Sequence, residues 1–128
     1  MKPQSRVEAA NACLKVFDTT LFRALCEPVR LAVFRQLVLT GQSDVGTIAQ
    51  AMPQDRSVIA RHLQLMERAG LLRVETEGRH TLYEIDGPAI ASRVERMATL
   101  LRTLVPLCCP RSAQQHPDTS NSAIRRRQ

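Results

Sequence analysis

Apolar residues recur along this 128-residue chain with two different periods, and the change of period divides it. Val7, Ala10, Leu14, Phe17, Leu21 and Leu25 follow one another at three- and four-residue steps, the stripe of an amphipathic helix. Asp18-Thr19-Thr20 is a run of capping residues able to split that stretch into two helices. Pro28 stands where a helix takes its first residue, and Leu31, Phe34 and Leu37 carry the next stripe until Gly41 stops it. Gln42-Ser43-Asp44 opens a short helix with Val45, Ile48, Ala49 and Met52 on its apolar side, ended by Pro53. Asp55 and Ser57 are capping residues for the following helix, over 55–69, which buries Ile59, Leu63 and Met66 and closes at Gly70. Two short apolar helices joined by a few residues make a helix-turn-helix pattern.

After Gly70 the period falls from about 3.6 to 2. Leu72, Val74 and Thr76 alternate with Arg73, Glu75 and Glu77; Glu77-Gly78-Arg79 turns; residues 81–85 run back. This predicts a β-hairpin. Ala89 to Val105 reads as a last helix through Ile90, Val94, Met97, Leu101 and Leu104, stopped by Pro106. From Arg111 onward the chain is Ser, Gln, Asn, Pro and Arg with little to bury, the composition of a disordered segment. The expected fold is therefore mainly α with a small β-hairpin wing, a winged helix-turn-helix. One domain over 1–110 precedes a basic tail over 111–128.

The composition agrees with helices. Aromatic residues make up 3% of the chain and tryptophan is absent, so the core is built from Leu, Val, Ile, Ala and Met. The formal net charge is +6, which favours polyanionic partners. About half of that excess lies in the tail, where Arg111, Arg125, Arg126 and Arg127 face Asp118 alone. Residues 1–105 carry 14 basic and 11 acidic side chains, so a nucleic-acid site in the body must be local. Met1 to Asp18 mixes charged residues into its apolar ones and offers no signal-peptide core, and no apolar run is long enough for a bilayer. The expectation is a soluble, cytoplasmic protein with no membrane partner, whose four cysteines are reduced and open to metal or redox chemistry.

A helix fits the major groove and presents its outer face to base edges. With Ile59, Leu63 and Met66 inward, the outward positions of the 55–69 helix include Arg56, Ser57, Ala60, Arg61 and Gln64, with His62 beside them. Arg forks onto guanine, Gln onto adenine, and Ser reaches phosphate. The hairpin tip offers Arg79 and His80 to a neighbouring phosphate backbone or minor groove. Taken singly, each of these is a solvated surface residue or, for His62, a structural hydrogen-bonder. Taken in order, helix-turn-helix then basic hairpin, they make a DNA-binding constellation.

Three separated motifs strengthen it. Leu25-Cys26-Glu27-Pro28-Val29-Arg30-Leu31 resembles the opening "L-x-D-P-x-R-L" of the ArsR/SmtB family of metal-responsive repressors. Ile59 to Leu71 resembles that family's recognition helix, and Glu77-Gly78-Arg79 with Tyr83 its wing. The resemblance covers roughly residues 18–105. It implies a homodimer joined through its first and last helices, bound to an inverted-repeat operator in double-stranded DNA and released by an inducer. Two departures stand out: Ala60 occupies the usual helix serine, and Arg56 the polar residue that opens the helix.

The family's metal sites guide the search for that inducer. A Cys-x-Cys in the first helix of the helix-turn-helix has no counterpart in Asp44 to Ala49. The Asp and His site of the last helix retains Asp86, but Pro88, Thr99 and Arg102 occupy its other positions. What remains is Cys108-Cys109 after the last helix, with Cys13 on the first and Cys26 before the second. Adjacent cysteines there resemble the binding thiols of arsenic-responsive members. Trivalent arsenic or antimony is soft and takes thiolates; the pair supplies two, and Cys13 a third if the first and last helices pack together. Methylarsenite needs only the pair. Zinc prefers four ligands from spaced pairs. Thiol oxidation or persulfidation is the rival reading, and Cys26 reads as a small core residue.

No cluster of nucleophile, base and metal ligands suggests an enzyme or a catalytic cofactor. Winged helices also serve as protein-interaction modules, and that class stays open at this point.

Overall fold

The computed structural model describes residues 5–109. The basic tail expected over 111–128 lies outside the described residues. Six helices and one hairpin follow in the order α1 (Arg6–Val16), α2 (Thr19–Leu25), α3 (Pro28–Thr40), α4 (Val45–Gln50), α5 (Arg56–Arg68), β1 (Leu72–Glu77), β2 (His80–Ile85) and α6 (Gly87–Cys108). The chain divides into two compact units. One runs from Asp18 to Val94; the other joins α1 with the part of α6 from Glu95 onward.

Caps set most boundaries. Ser5 and Glu8 form a reciprocal capping box at the start of α1. Asp18 divides the long stripe as expected: its side chain accepts the Leu21 N–H at 3.0 Å and starts α2. Glu27 does the same for α3, with Pro28 in the first turn. Arg30 then explains part of its own motif. Its guanidinium donates to the carbonyls of Ala24, at 2.7 Å, and Arg23, at 2.9 Å, and so closes the open end of α2.

Behind α5 the chain turns on Gly70, at φ +80°. Gly70 N–H donates to Glu67 O at 2.9 Å and Leu71 N–H to Met66 O at 3.0 Å, the paired bonds of a Schellman motif. The hairpin pairs Leu72 with Ile85 through to Glu77 with His80, leaving a two-residue loop, Gly78-Arg79. Positive φ at Gly78 and not at Arg79 fits a type II′ turn, whose twist matches that of the strands.

The core of the Asp18–Val94 unit is aliphatic: Leu21, Val33, Leu37, Ile48, Ile59, Leu63, Met66 and Leu71 are each 2% exposed or less. In the other unit Ala9, Met97 and Leu100 are buried. Several apolar side chains expected on inward stripes are not. Leu31 is 48% exposed; α3 buries Leu37, as expected, and Val33 in place of Leu31. A three-residue step falls about 60° short of a full turn and a four-residue step overshoots by about 40°, so a stripe spaced by threes alone drifts off its face.

The last helix also differs from expectation. It begins at Gly87, where Asp86 caps it by accepting the Ala89 N–H at 3.2 Å. It continues through Pro106 to Cys108, and Cys109 N–H still reaches Val105 O at 2.8 Å. A proline in the final turn removes its own N–H bond and crowds the carbonyl four residues back, a cost confined to the end of a long helix. Among the described residues no helix is long and apolar enough to cross a membrane.

Candidate nucleic-acid interface

Helix α5 separates its residues by face. Ile59, Leu63 and Met66 are fully buried, while Arg56, Ser57, Arg61 and Gln64 are exposed and Ala60 and His62 half-buried. Ser57, Arg61 and Gln64 stand at i, i+4 and i+7, one above the other on the free face. Asp55 occupies the cap position of α5, but neither its side chain nor that of Ser57, which lies within the helix, caps it. The first N–H groups of α5 therefore lack the side-chain acceptor that the sequence led us to expect.

The wing is pinned to the helix-turn-helix by backbone. Ser43 N–H donates to Tyr83 O at 3.0 Å, and Tyr83 N–H returns the bond to Ser43 O at 2.8 Å. Ser43 is buried, and its hydroxyl lies 2.9 Å from that of Thr40. Tyr83 fills the space beneath with 6% exposure; burial, and then the nearby Glu67 carboxylate, push its phenol above the ordinary value. Arg73 and Glu84 pair across the strands. At the tip, Arg79 and His80 are exposed, as the DNA-binding reading requires.

One acidic residue stands between the two basic elements. The Asp44 carboxylate caps α4 by accepting the Thr47 N–H at 2.8 Å, and its second oxygen lies 3.4 Å from His80 Nδ1. Arg56 reaches over Gly46 on the same side: a Cβ on Gly46 would stand 3.6 Å from the Arg56 guanidinium and 3.7 Å from the Asp44 carboxylate. The Thr47 hydrogen bonds, with the charges of His80 and Arg56 behind them, hold the Asp44 carboxyl below its ordinary value. Sequence pattern placed Asp44 only at the start of a helix. Its closeness to residues 12 and 36 positions away belongs to the tertiary structure.

A second connection was equally hidden. Arg93, on α6, donates from Nε to Asp18 at 2.5 Å and from Nη1 to Ala69 O at 2.7 Å. It thereby ties α6 to the cap of α2 and to the C-terminus of α5. The Asp18 hydrogen bond raises the guanidinium pKa still further.

Cys108 and Cys109 are both exposed, with their sulfurs 3.5 Å apart, and the Cys108 thiol raises the pKa of Cys109. Cys13 is half-buried. Among the described residues no group of three or more His, Cys, Asp or Glu side chains is gathered to hold a metal ion. Cys26 is exposed, not a core residue: it sits at the end of α2 with its thiol 3.2 Å from Arg23 O, turned back on its own helix.

No family model matches the chain. It is 34% identical over 65 residues to the HTH-type transcriptional repressor SmtB of Mycobacterium tuberculosis, covering 51% of this chain and 47% of that protein. The chain thus spans about half the length of these mycobacterial relatives. An HTH-type transcriptional regulator of Methanocaldococcus jannaschii is 26% identical over 66% of this chain and 90% of its own length. Among solved structures, an ArsR-like regulator from Rhodococcus superposes with a TM-score of 0.58 at 21% identity, covering 79% of this chain and 92% of that one. The homodimeric winged helix-turn-helix DNA-binding domain of a "possible ArsR-family transcriptional regulator" from Mycobacterium bovis superposes with a TM-score of 0.55 at 25% identity, covering 92% and 98%.

The fold is thus the ArsR-like winged helix-turn-helix, with α4 and α5 as the helix-turn-helix and β1–β2 as the wing. In sequence the chain is similar to proteins named as HTH-type transcriptional regulators, and in fold to solved structures described as ArsR-like or possible ArsR-family regulators. The proteins it resembles are named as regulators of transcription and not as enzymes.

Proposed function

We propose that the protein is a homodimeric repressor that binds an inverted-repeat operator through α5 and the wing. The observation that carries this reading is the free face of α5. Ser57, Arg61 and Gln64 are aligned and exposed on a helix whose other face is locked into the core, so their backbone positions are fixed before binding. Arg56, Arg79 and His80 add phosphate contacts at the helix start and wing tip. Dimerisation is supported by Val7, Leu14 and Leu101 of the unit that joins α1 with the end of α6, at 69%, 83% and 47% exposure, which together are apolar enough to favour a partner surface. Leu21, which continues the same apolar stripe into α2, belongs to the core and not to that surface. A two-fold axis through such a face sets two recognition helices about 34 Å apart, one turn of DNA.

The inducer we assign is trivalent arsenic or antimony at Cys108 and Cys109. Two thiols 3.5 Å apart suit a soft ion that bridges them. A solved structure described as a "possible transcriptional regulator for arsenical resistance" superposes with a TM-score of 0.50 at 25% identity, covering 75% of this chain and 95% of that one. A disulfide within the pair is disfavoured, since adjacent Cα atoms lie about 3.8 Å apart and disulfides span about 4.4 Å or more. Among the described residues no third ligand is gathered at the pair, and the reading gives Cys13 of the partner subunit as the third thiolate of an arsenite site. The ligand releases DNA if it binds the DNA-free conformation better; equal affinity for both would shift nothing.

The test is fluorescence anisotropy with a labelled duplex from upstream of the protein's own gene, in excess competitor DNA. Saturable binding is expected, reversed by arsenite or methylarsenite but not by zinc, and reversed by neither in Cys108→Ser or Cys109→Ser. Absence of any saturable binding refutes the repressor reading and leaves a protein-interaction module. Release by peroxide or persulfide alone replaces arsenic with a thiol redox switch. Release that survives the double cysteine variant removes this inducer site.

A further inference from the structure

We infer that Asp44 is a specificity-determining residue of the DNA-binding face, a built-in competitor that draws Arg56 and His80 away from phosphates of arbitrary sequence. This inference rests on the DNA-binding reading above. The geometry places one carboxylate between the opening residue of α5 and the wing tip, within 3.4 Å of His80 Nδ1 and on the same side of Gly46 as the Arg56 guanidinium. Its side chain is 30% exposed and His80 71%, so the carboxylate faces the space a duplex would enter. There it does two things. It offsets cationic charge that would otherwise meet phosphate, and it repels phosphate itself.

Non-specific binding is almost wholly a matter of phosphate contacts and so carries the full penalty of this carboxylate. Specific binding adds base contacts from Arg61 and Gln64 that do not depend on it. An anion at this position therefore lowers affinity for any sequence more than for the operator, and widens the gap between them. The body of the protein is close to charge balance, with 14 basic and 11 acidic residues in 1–105, so a single charge at the contact surface carries weight.

Asp44→Asn tests this directly. Asparagine caps helices as well as aspartate does, so the cap on Thr47 and the fold survive while the charge goes. Binding is measured by anisotropy to an operator duplex and to a scrambled duplex of equal length, across a salt series. Glu95→Gln, at an exposed residue of α6, controls for net charge. The expected result for Asp44→Asn is a gain of about three- to tenfold on scrambled DNA, with a log–log salt slope steeper by about one. The operator gain is smaller, so discrimination falls; Glu95→Gln leaves discrimination unchanged. Wild-type protein that discriminates, with Asp44→Asn discriminating equally well, overturns the inference alone. A Glu95→Gln variant that matches Asp44→Asn overturns it too, by reducing the effect to bulk charge. Wild-type protein that does not discriminate overturns the inference together with the DNA-binding reading.

Discussion

Replacing Arg93 by Ala removes two hydrogen bonds from one site, and the structure sets the size of the effect. Nε to Asp18, at 2.5 Å, is charge-assisted, and the two side chains are only 15% and 24% exposed. Nη1 to Ala69 O, at 2.7 Å, satisfies a carbonyl at the end of α5. Both bonds come from the ionised guanidinium; such a bond contributes about 1.5–3 kcal/mol at most, and toward about 1 kcal/mol where water can replace the donor. Asp18 keeps its bond from the Leu21 N–H and some contact with water, which favours the low end. The expected loss is about 2–3 kcal/mol, a fall of about 10 °C or more in Tm for a domain of this size. Urea denaturation at fixed protein concentration measures it, since the proposed dimer would make apparent stability depend on concentration. Arg93→Lys should fall between, keeping the charge without the fork, and a double-mutant cycle with Asp18→Asn should show coupling above about 1 kcal/mol. If Arg93→Ala costs less than about 0.5 kcal/mol, an ordinary surface value, the tie between α6, α2 and α5 is not what holds them.

Three further outcomes follow from the same geometry. Gly70→Ala should destabilise by about 1–2 kcal/mol in the same assay, because φ is +80° and a Cβ would stand 3.0 Å from the Arg93 guanidinium. Tyr83 is the sole tyrosine and there is no tryptophan, so absorbance titration reads it alone. Its midpoint should lie above 10 in the folded protein and near 10 in urea. Folding favours the neutral phenol, so its stabilising contribution is complete below pH 10 and fades as pH rises through the folded value; a folded midpoint at or below 10 contradicts its burial. Arg79→Ala should weaken operator and scrambled DNA alike and flatten the salt slope by about one, whereas an effect on the operator alone would make Arg79 a base reader.

Helix ends and the wing were legible in the sequence because each is written locally. Asp18, Pro28, Gly41 and Gly70 mark boundaries through cap and turn chemistry that involves only near neighbours. The shift to a period of 2 after Gly70 marked the hairpin, and Gly78-Arg79 its turn. The inward face of α5 was readable because its apolar side is strictly spaced, and its outward residues followed by subtraction. On α3, where apolar residues occupy most of the circumference, spacing left the inward face undetermined and Leu31 was misplaced. Pro106 misled for another reason: a proline signals a stop by a local rule, but a helix near its end has little left to lose. The long-range roles of Asp44, Ser43 and Arg93 carry no local signal, since the partners concerned lie 36, 40 and 75 residues away.

The claim that α5 reads DNA meets its most direct test in Arg61→Ala, an exposed residue at the middle of the helix with no part in the core. Affinity for the operator duplex and for a scrambled duplex is compared by anisotropy with that of the wild-type protein, at one salt concentration. The account predicts a loss of about 1–3 kcal/mol on the operator, roughly ten- to a hundredfold, with a much smaller change on scrambled DNA. Operator affinity equal to that of the wild-type protein would contradict it.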